Sequence, residues 1–227
     1  MTYIDLNHPQ KALKVVKNFE TFAWDGFTPD TETFYKVVSP GDTTWTNWGA
    51  ADSNANTIFL ADATTAGSGT GTAIIVAQKT SNAFNLLCGT DIDYTPPAGA
   101  TKVIYEFNSV YTYYGSENNL TVKLQYGSDI DNLADIDTDN YINSYGQTDE
   151  SISGYFGSDF LQVRYVIPAW TGQKTLALQT KSEHHRSTAT DNYSIIHVTT
   201  TRTGTSDNTD VGDDELFYNP FIICYSI

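Results

Sequence analysis

Alternate aspartates give the chain its sharpest chemical signal. Between Asp129 and Asn140, Asp135, Asp137 and Asp139 match the first three ligand spacings of a calcium-binding EF-hand loop, where alternate carboxylates converge on the ion. Asn140 then holds the position that needs a turn glycine, and Gly146 the one that needs a bidentate glutamate. The three residues are candidate calcium ligands; the simpler reading is a solvated acidic loop between strands. A second acidic run, Asp207 to Glu215, reads as another exposed loop. His184, His185 and His197 could form a metal or pH-sensing group, above all if copies meet on a symmetry axis. Neighbours on a strand face opposite ways, so at most one of His184 and His185 shares a face with His197. Trp45 and Trp48, a Trp-x-x-Trp pair in a loop, could offer stacking faces to a sugar, with packing as the competing reading.

Other chemistry finds less support. No Gly-x-Ser-x-Gly elbow is present to hold a serine nucleophile. Gly67-Ser-Gly-Thr-Gly71 lacks the Lys-Ser/Thr ending of a phosphate-binding loop and reads as a flexible turn. Carboxylate pairs for glycoside hydrolysis are a matter of geometry, and so many acids make any pairing arbitrary. The chain is therefore expected not to be an enzyme, and to need no cofactor beyond the candidate calcium.

Twenty-seven acidic residues against 12 basic ones leave a formal charge of −15, a field that repels phosphate and argues against nucleic acids and anionic membranes as partners. Only 17% of residues are charged while 13% are aromatic, so this is no disordered acidic tail, and 227 residues suffice for one large all-β domain. Cys88 and Cys224 sit in apolar settings and read as buried free thiols. No apolar run approaches the ~20 residues of a membrane helix, and the first residues do not resemble a signal peptide. Synthesis in a cytoplasm, without secretion, is expected.

The elements that must position these residues are strands. Leu120, Val122, Leu124 and Tyr126 alternate with polar residues, as do Leu161, Val163, Tyr165 and Ile167, and Leu176 and Leu178. From Lys102 to Tyr114 both faces are apolar: Val103, Tyr105, Phe107 and Tyr111 on one, Ile104, Val110 and Tyr114 on the other. Phe221 to Ile227 is similar. Two covered faces imply a central strand, or one whose outer face meets another subunit, so Ile104, Val110 and Tyr114 are candidate subunit-interface residues. Pro9 to Phe22 is equally readable as a helix or a lysine-bearing strand. The pattern predicts one all-β jelly-roll or β-sandwich domain over 11–227, with an inserted loop region at about 41–82 and residues 1–10 as an N-terminal anchor.

The order of motifs adds a family. Tyr94-Thr-Pro-Pro-Ala-Gly-Ala-Thr-Lys-Val-Ile-Tyr-Glu-Phe107, Lys174-Thr-Leu-Ala-Leu-Gln-Thr-Lys-Ser-Glu-His-His185, Ile195-Ile-His-Val198 and the Pro-led ending Asn219 to Ile227 resemble, in sequence and order, the C1q/TNF-like jelly-roll virion proteins of marine tailed bacteriophages. Lys11 to Val16 resembles their opening strand, while Gly41 to Asn82 has no counterpart. The resemblance implies a homotrimer on the virion exterior, made in the host cytoplasm, with no catalytic residues to carry over. The expected function is capsid decoration, with the major capsid protein or other virion proteins as partners and a host surface glycan as a further candidate. Two alternatives stay open: a receptor-binding knob of a tail or head fibre, and a carbohydrate-binding module or small depolymerase using Trp45 and Trp48.

Overall fold

Alternation becomes strand wherever it is sustained, because a strand turns successive side chains to opposite faces and one face can then be buried. The computed structural model describes residues 12–14, 20–114, 118–136, 142–146, 156–184, 193–200, 215–218 and 220–227. In chain order the strands are β1 (Ala12–Lys14), β2 (Phe22–Ala23), β3 (Thr33–Ser39), β4 (Ile58–Leu60), β5 (Thr72–Lys79), β6 (Asn85–Leu86), β7 (Ile92–Tyr94), β8 (Lys102–Tyr114) and β9 (Asn118–Gly127). There follow β10 (Leu133–Asp135), β11 (Ile142–Gly146), β12 (Phe156–Pro168), β13 (Lys174–His184), β14 (Tyr193–Ile196), β15 (Val198–Thr200), β16 (Glu215–Phe217) and β17 (Phe221–Ser226). Helical structure among the described residues is confined to two single 3-10 turns, Trp45–Trp48 and Ile130–Asn132. No helix among them is long and apolar enough to cross a membrane.

Two antiparallel sheets form an all-β sandwich. The first runs β1-β17-β8-β14-β5-β3-β4, with β12 on the far side of β8 and β2 on β5. The second runs β10-β9-β13-β6, with β11 also on β9 and β7 on β13. Val103, Tyr105, Phe107, Leu161, Val163, Tyr165 and Ile167 from the first sheet meet Leu120, Val122, Leu124, Leu176 and Leu178 from the second in one buried cluster. Burial of that apolar area, at roughly 25 cal/mol per Å², drives the packing of sheet on sheet. The buried phenols are satisfied: Tyr105 donates to the Thr90 carbonyl (2.6 Å) and Tyr165 to the Val122 carbonyl (2.9 Å).

Strand β8 is central, as its two apolar faces require. It pairs with β12 along its whole length, and on its other side with β17 and then β14. At the N-terminal end the strand reading holds for Ala12–Lys14, which pairs with β17; residues 9–11 and 15–19 lie outside the described set. The segment expected as an inserted loop supplies β4 and β5, and β5 lies between β3 and β14 inside the first sheet. A second aromatic cluster forms there from Trp24, Tyr35, Trp45, Trp48 and Phe59. The Gly67–Gly71 run is a packed loop rather than a flexible turn. A Cβ at Gly71 would stand 2.5 Å from Trp45 Cζ2 and 2.7 Å from the Pro40 oxygen. The loop is tied to Asp42, whose Oδ1 accepts the Thr70 amide (2.6 Å) and hydroxyl (3.0 Å).

Candidate interaction face

The outer surface of the β8–β12–β17 layer follows from strand parity. Leu161, Val163, Tyr165 and Ile167 of β12 point into the core, so Phe160, Gln162, Arg164 and Val166 point out. Backbone direction follows the same parity. Ala169 N–H donates to the Thr101 carbonyl (3.1 Å), while Phe160 N–H, turned from β8, is taken by Asp159 Oδ1 (2.7 Å). Among the described residues β12 is an edge strand, and Pro168 stands where an edge tolerates a missing N–H.

On this face Val166 lies beside Ile104 and Phe160 beside Val110, with Arg164 directly across from Glu106. Arg164 Nε is 2.9 Å from Glu106 Oε1, and Arg164 Nη2 donates to the Tyr225 hydroxyl (3.4 Å), which donates to Glu106 Oε1 (3.3 Å). Phe160 is 65% exposed and Val166 38%. The surface is therefore an ion pair and a phenol flanked by exposed apolar side chains, an arrangement suited to another protein surface rather than to bond-making chemistry.

Of the expected interface residues, the side chains of Ile104 and Val110 are described. Ile104 and Val110 do lie on the outer side of β8, yet they are already enclosed within a single chain, at 3% and 4% exposure. Val110 lies where the chain's own β15 crosses: the neighbouring Thr112 hydroxyl donates to the Val198 carbonyl (2.9 Å), and Val198 is itself buried. Val110 is thus not open to a second subunit. Tyr114 ends β8, and its side chain lies outside the described set. Sequence reading passed over Phe160, Arg164, Val166, Glu106 and Tyr225. The available signal was two apolar residues, Phe160 and Val166, on the otherwise polar face of β12.

Of the calcium candidates only Asp135 is among the described residues. Asp135 ends β10, where its Oδ1 accepts from Lys123 Nζ (2.8 Å) and Gln125 Nε2 (2.5 Å). The Lys123 hydrogen bond holds its carboxyl below the usual aspartate range, in an ion pair that already uses the charge. Asp129, further back, caps the short 3-10 turn, accepting from Asp131 N–H (3.1 Å) and Asn132 Nδ2 (2.6 Å). Asp137 and Asp139 lie outside the described residues, as do Asp210, Asp213 and Asp214. Among the described residues no three His, Cys, Asp or Glu side chains are grouped to hold a metal.

Trp45 and Trp48 offer no sugar platform, which corrects that expectation. They are 0% and 3% exposed, and their indoles donate inward, to the Pro40 carbonyl (3.0 Å) and the Thr65 carbonyl (2.8 Å). Their rings fill the second core because so loop-rich a segment has few other large apolar side chains to bury. Of the histidines, only His197 has a described side chain. His184 ends β13, His185 is outside the described set, and His197 is fully buried with its ring bonded to Ser109 and Cys88. No protein-family model matches the chain, and no curated protein matches it in sequence.

Proposed function

We propose that the chain is a non-enzymatic structural protein of a virion exterior, a jelly-roll module that assembles as a homotrimer and decorates the capsid surface. The observation that carries the reading is the outer face of β8 and β12. Phe160 and Val166 stand exposed on either side of the Glu106–Arg164–Tyr225 group, on strands paired without a break over 13 residues. Burying them between subunits would contribute roughly 25 cal/mol per Å² of apolar area. The order of motifs from Tyr94 to Ile227 supports a virion module, and the two-sheet sandwich is the architecture such a module needs. The partner surface is the major capsid protein or a neighbouring virion protein, reached without nucleic acid, membrane or cofactor.

Sedimentation velocity at micromolar concentration tests the assembly. A species of three chains is expected, and Phe160→Asp with Val166→Asp should reduce it to monomer. A wild-type monomer overturns the trimer. Antibody labelling of purified virions tests the location. Label over the capsid lattice is expected, whereas label confined to a tail tip overturns decoration in favour of a receptor-binding knob.

A further inference from the structure

We propose that the open end of the sandwich holds a carbohydrate site, in which Trp170 stacks on a pyranose ring and the Lys174 ammonium binds a carboxylate on that sugar.

The two sheets bring these residues together at the end beyond Val166. Lys174 opens β13 on the same face as Leu176 and Leu178, which are buried in the core, so its side chain lies at the mouth between the sheets. The register sets Lys174 beside Tyr94 of β7, and Leu176 beside Tyr126 of β9. Trp170 belongs to the 169–173 connection that carries the chain from β12 in the first sheet to β13 in the second. Its ring centre is 5.7 Å from that of Tyr126, with the planes 31° apart, and 6.3 Å from that of Tyr94, met nearly edge-on. Tyr94 is buried, with its hydroxyl 2.8 Å from Ser226 Oγ, and forms the floor.

Two features set this end apart from a plug over the core. Trp24, Trp45 and Trp48 are 0–3% exposed, whereas Trp170 and Tyr126 are half-buried and the Thr171-Gly172-Gln173 rim is exposed. Trp170 Nε1 is buried without a hydrogen-bond partner among the described residues, so the position uses the ring rather than its N–H. The Lys174 charge is also uncommitted. Among the described residues no carboxylate pairs with it, and Nζ instead stands 3.5 Å from the centre of the Tyr126 ring and 5.8 Å from that of Trp170. Asp93, next to Tyr94, points to the opposite face of the sheet, where its Oδ1 accepts from the Thr175 hydroxyl (2.6 Å).

An ammonium over a ring face is attracted by the ring's quadrupole and keeps N–H donors on the side away from the ring, free for an anion. A pyranose suits the rest, because its C–H face lies against an aromatic ring while its hydroxyls stay in water. The 5.8 Å between Nζ and the Trp170 centre is spanned by one sugar ring and its carboxylate, so a single hexuronate residue meets both groups. A neutral sugar leaves the cation unused, and a small anion leaves the rings unused. The net charge of −15 opposes any anion at long range, so the contacts themselves must supply the affinity. At 0.15 M salt the Debye length of about 8 Å confines that opposition to near neighbours. The site is separate from the outer face of β8 and β12 and does not depend on assembly through it.

Isothermal titration of the full chain at pH 7 and about 0.15 M salt, with tetragalacturonate and tetramannuronate as probes, reads the site. At least one probe should bind and alter the fluorescence of Trp170, the one tryptophan that is not buried. The methyl ester of that tetramer keeps the rings but not the charge, and should bind at least about tenfold more weakly, having lost a hydrogen bond to a charged group. Lys174→Gln should show the same loss with its thermal midpoint unchanged, and Lys174→Arg should restore binding. Failure of both probes to bind overturns the site, as do equal affinities for acid and ester or a Lys174→Gln variant that binds like the wild type. Should Lys174→Gln not fold, saturation-transfer NMR on the wild type decides. Transfer from aromatic protons to the pyranose C–H groups that is lost on esterification supports the site, and equal transfer to acid and ester overturns it.

Discussion

Trp24 and Trp45 pack against each other with ring centres 4.9 Å apart, both fully buried, yet their indole N–H groups fare differently. Trp45 Nε1 donates to the Pro40 carbonyl, whereas Trp24 Nε1 is buried with no hydrogen-bond partner among the described residues. An unmet buried donor costs about 1–3 kcal/mol, so removing the donor from Trp24 relieves a penalty that its removal from Trp45 would not. Trp24→Phe should therefore be the milder substitution by about 1–2 kcal/mol in urea denaturation; equal losses would contradict the pairing described. Gly71→Ala drives a methyl into the Trp45 ring and the Pro40 carbonyl, and should destabilise by about 1–3 kcal/mol in the same assay. A loss below about 0.5 kcal/mol would show that the loop shifts freely. Buried tryptophans also change how a binding experiment reads. Trp48→Ala removes core volume, so any ligand binding it abolishes must be separated from an expected loss of about 3–5 kcal/mol of stability.

Elements differ in how much of them the sequence discloses. Strands β8, β9, β12, β13 and β17 are readable because period-two alternation encodes which face is buried, and long strands repeat it often enough to be distinctive. The two- to four-residue strands β2, β6, β7, β14 and β15 carry too few residues to show a period; their pairing is imposed by the neighbours they lie against. Ala12, Val15, Val16 and Phe19 fall at helical spacing while the same segment reads as a lysine-bearing strand, which leaves Pro9 to Phe22 undecided between helix and strand. The candidate face was half legible: two-sided β8 announced a covered outer surface, but not that β15 does part of the covering. Nor does the sequence announce the hydroxyl cluster joining β5, β13 and β14. Thr80 Oγ1 lies 2.5 Å from Ser182 Oγ, donates to the Ser194 carbonyl (3.0 Å) and accepts from Ser194 N–H (2.8 Å), binding the two sheets at a point distant in sequence. Thr80→Val keeps the shape and removes all three bonds. The expected loss is about 1–3 kcal/mol in equilibrium denaturation, and Thr80→Ser should recover most of it. A neutral Thr80→Val would mean the cluster holds nothing.

At the scale of the molecule, the charge of −15 and the outer face act against each other. Copies that associate through Phe160 and Val166 bring like net charges together, and that repulsion weakens the assembly wherever ions do not screen it. The Debye length is about 10 Å at 0.1 M salt and about 30 Å at 0.01 M, so added salt removes the long-range repulsion while leaving apolar burial intact. The Glu106–Arg164 pair is formed within one chain and so gives salt no intersubunit bond to break. Association should therefore strengthen as sodium chloride rises from 10 to 300 mM, with the larger species gaining at the expense of monomer in sedimentation velocity. An assembly held by charge complementarity behaves in the opposite sense, dissociating as salt rises. That outcome would exclude the apolar face as the source of association and move the contact to the acidic surface and its few cations. Arg164→Gln separates the two further. It raises the net negative charge by one and breaks the pair with Glu106, so association driven by the apolar face should weaken modestly at low salt and return to the wild-type level at 300 mM.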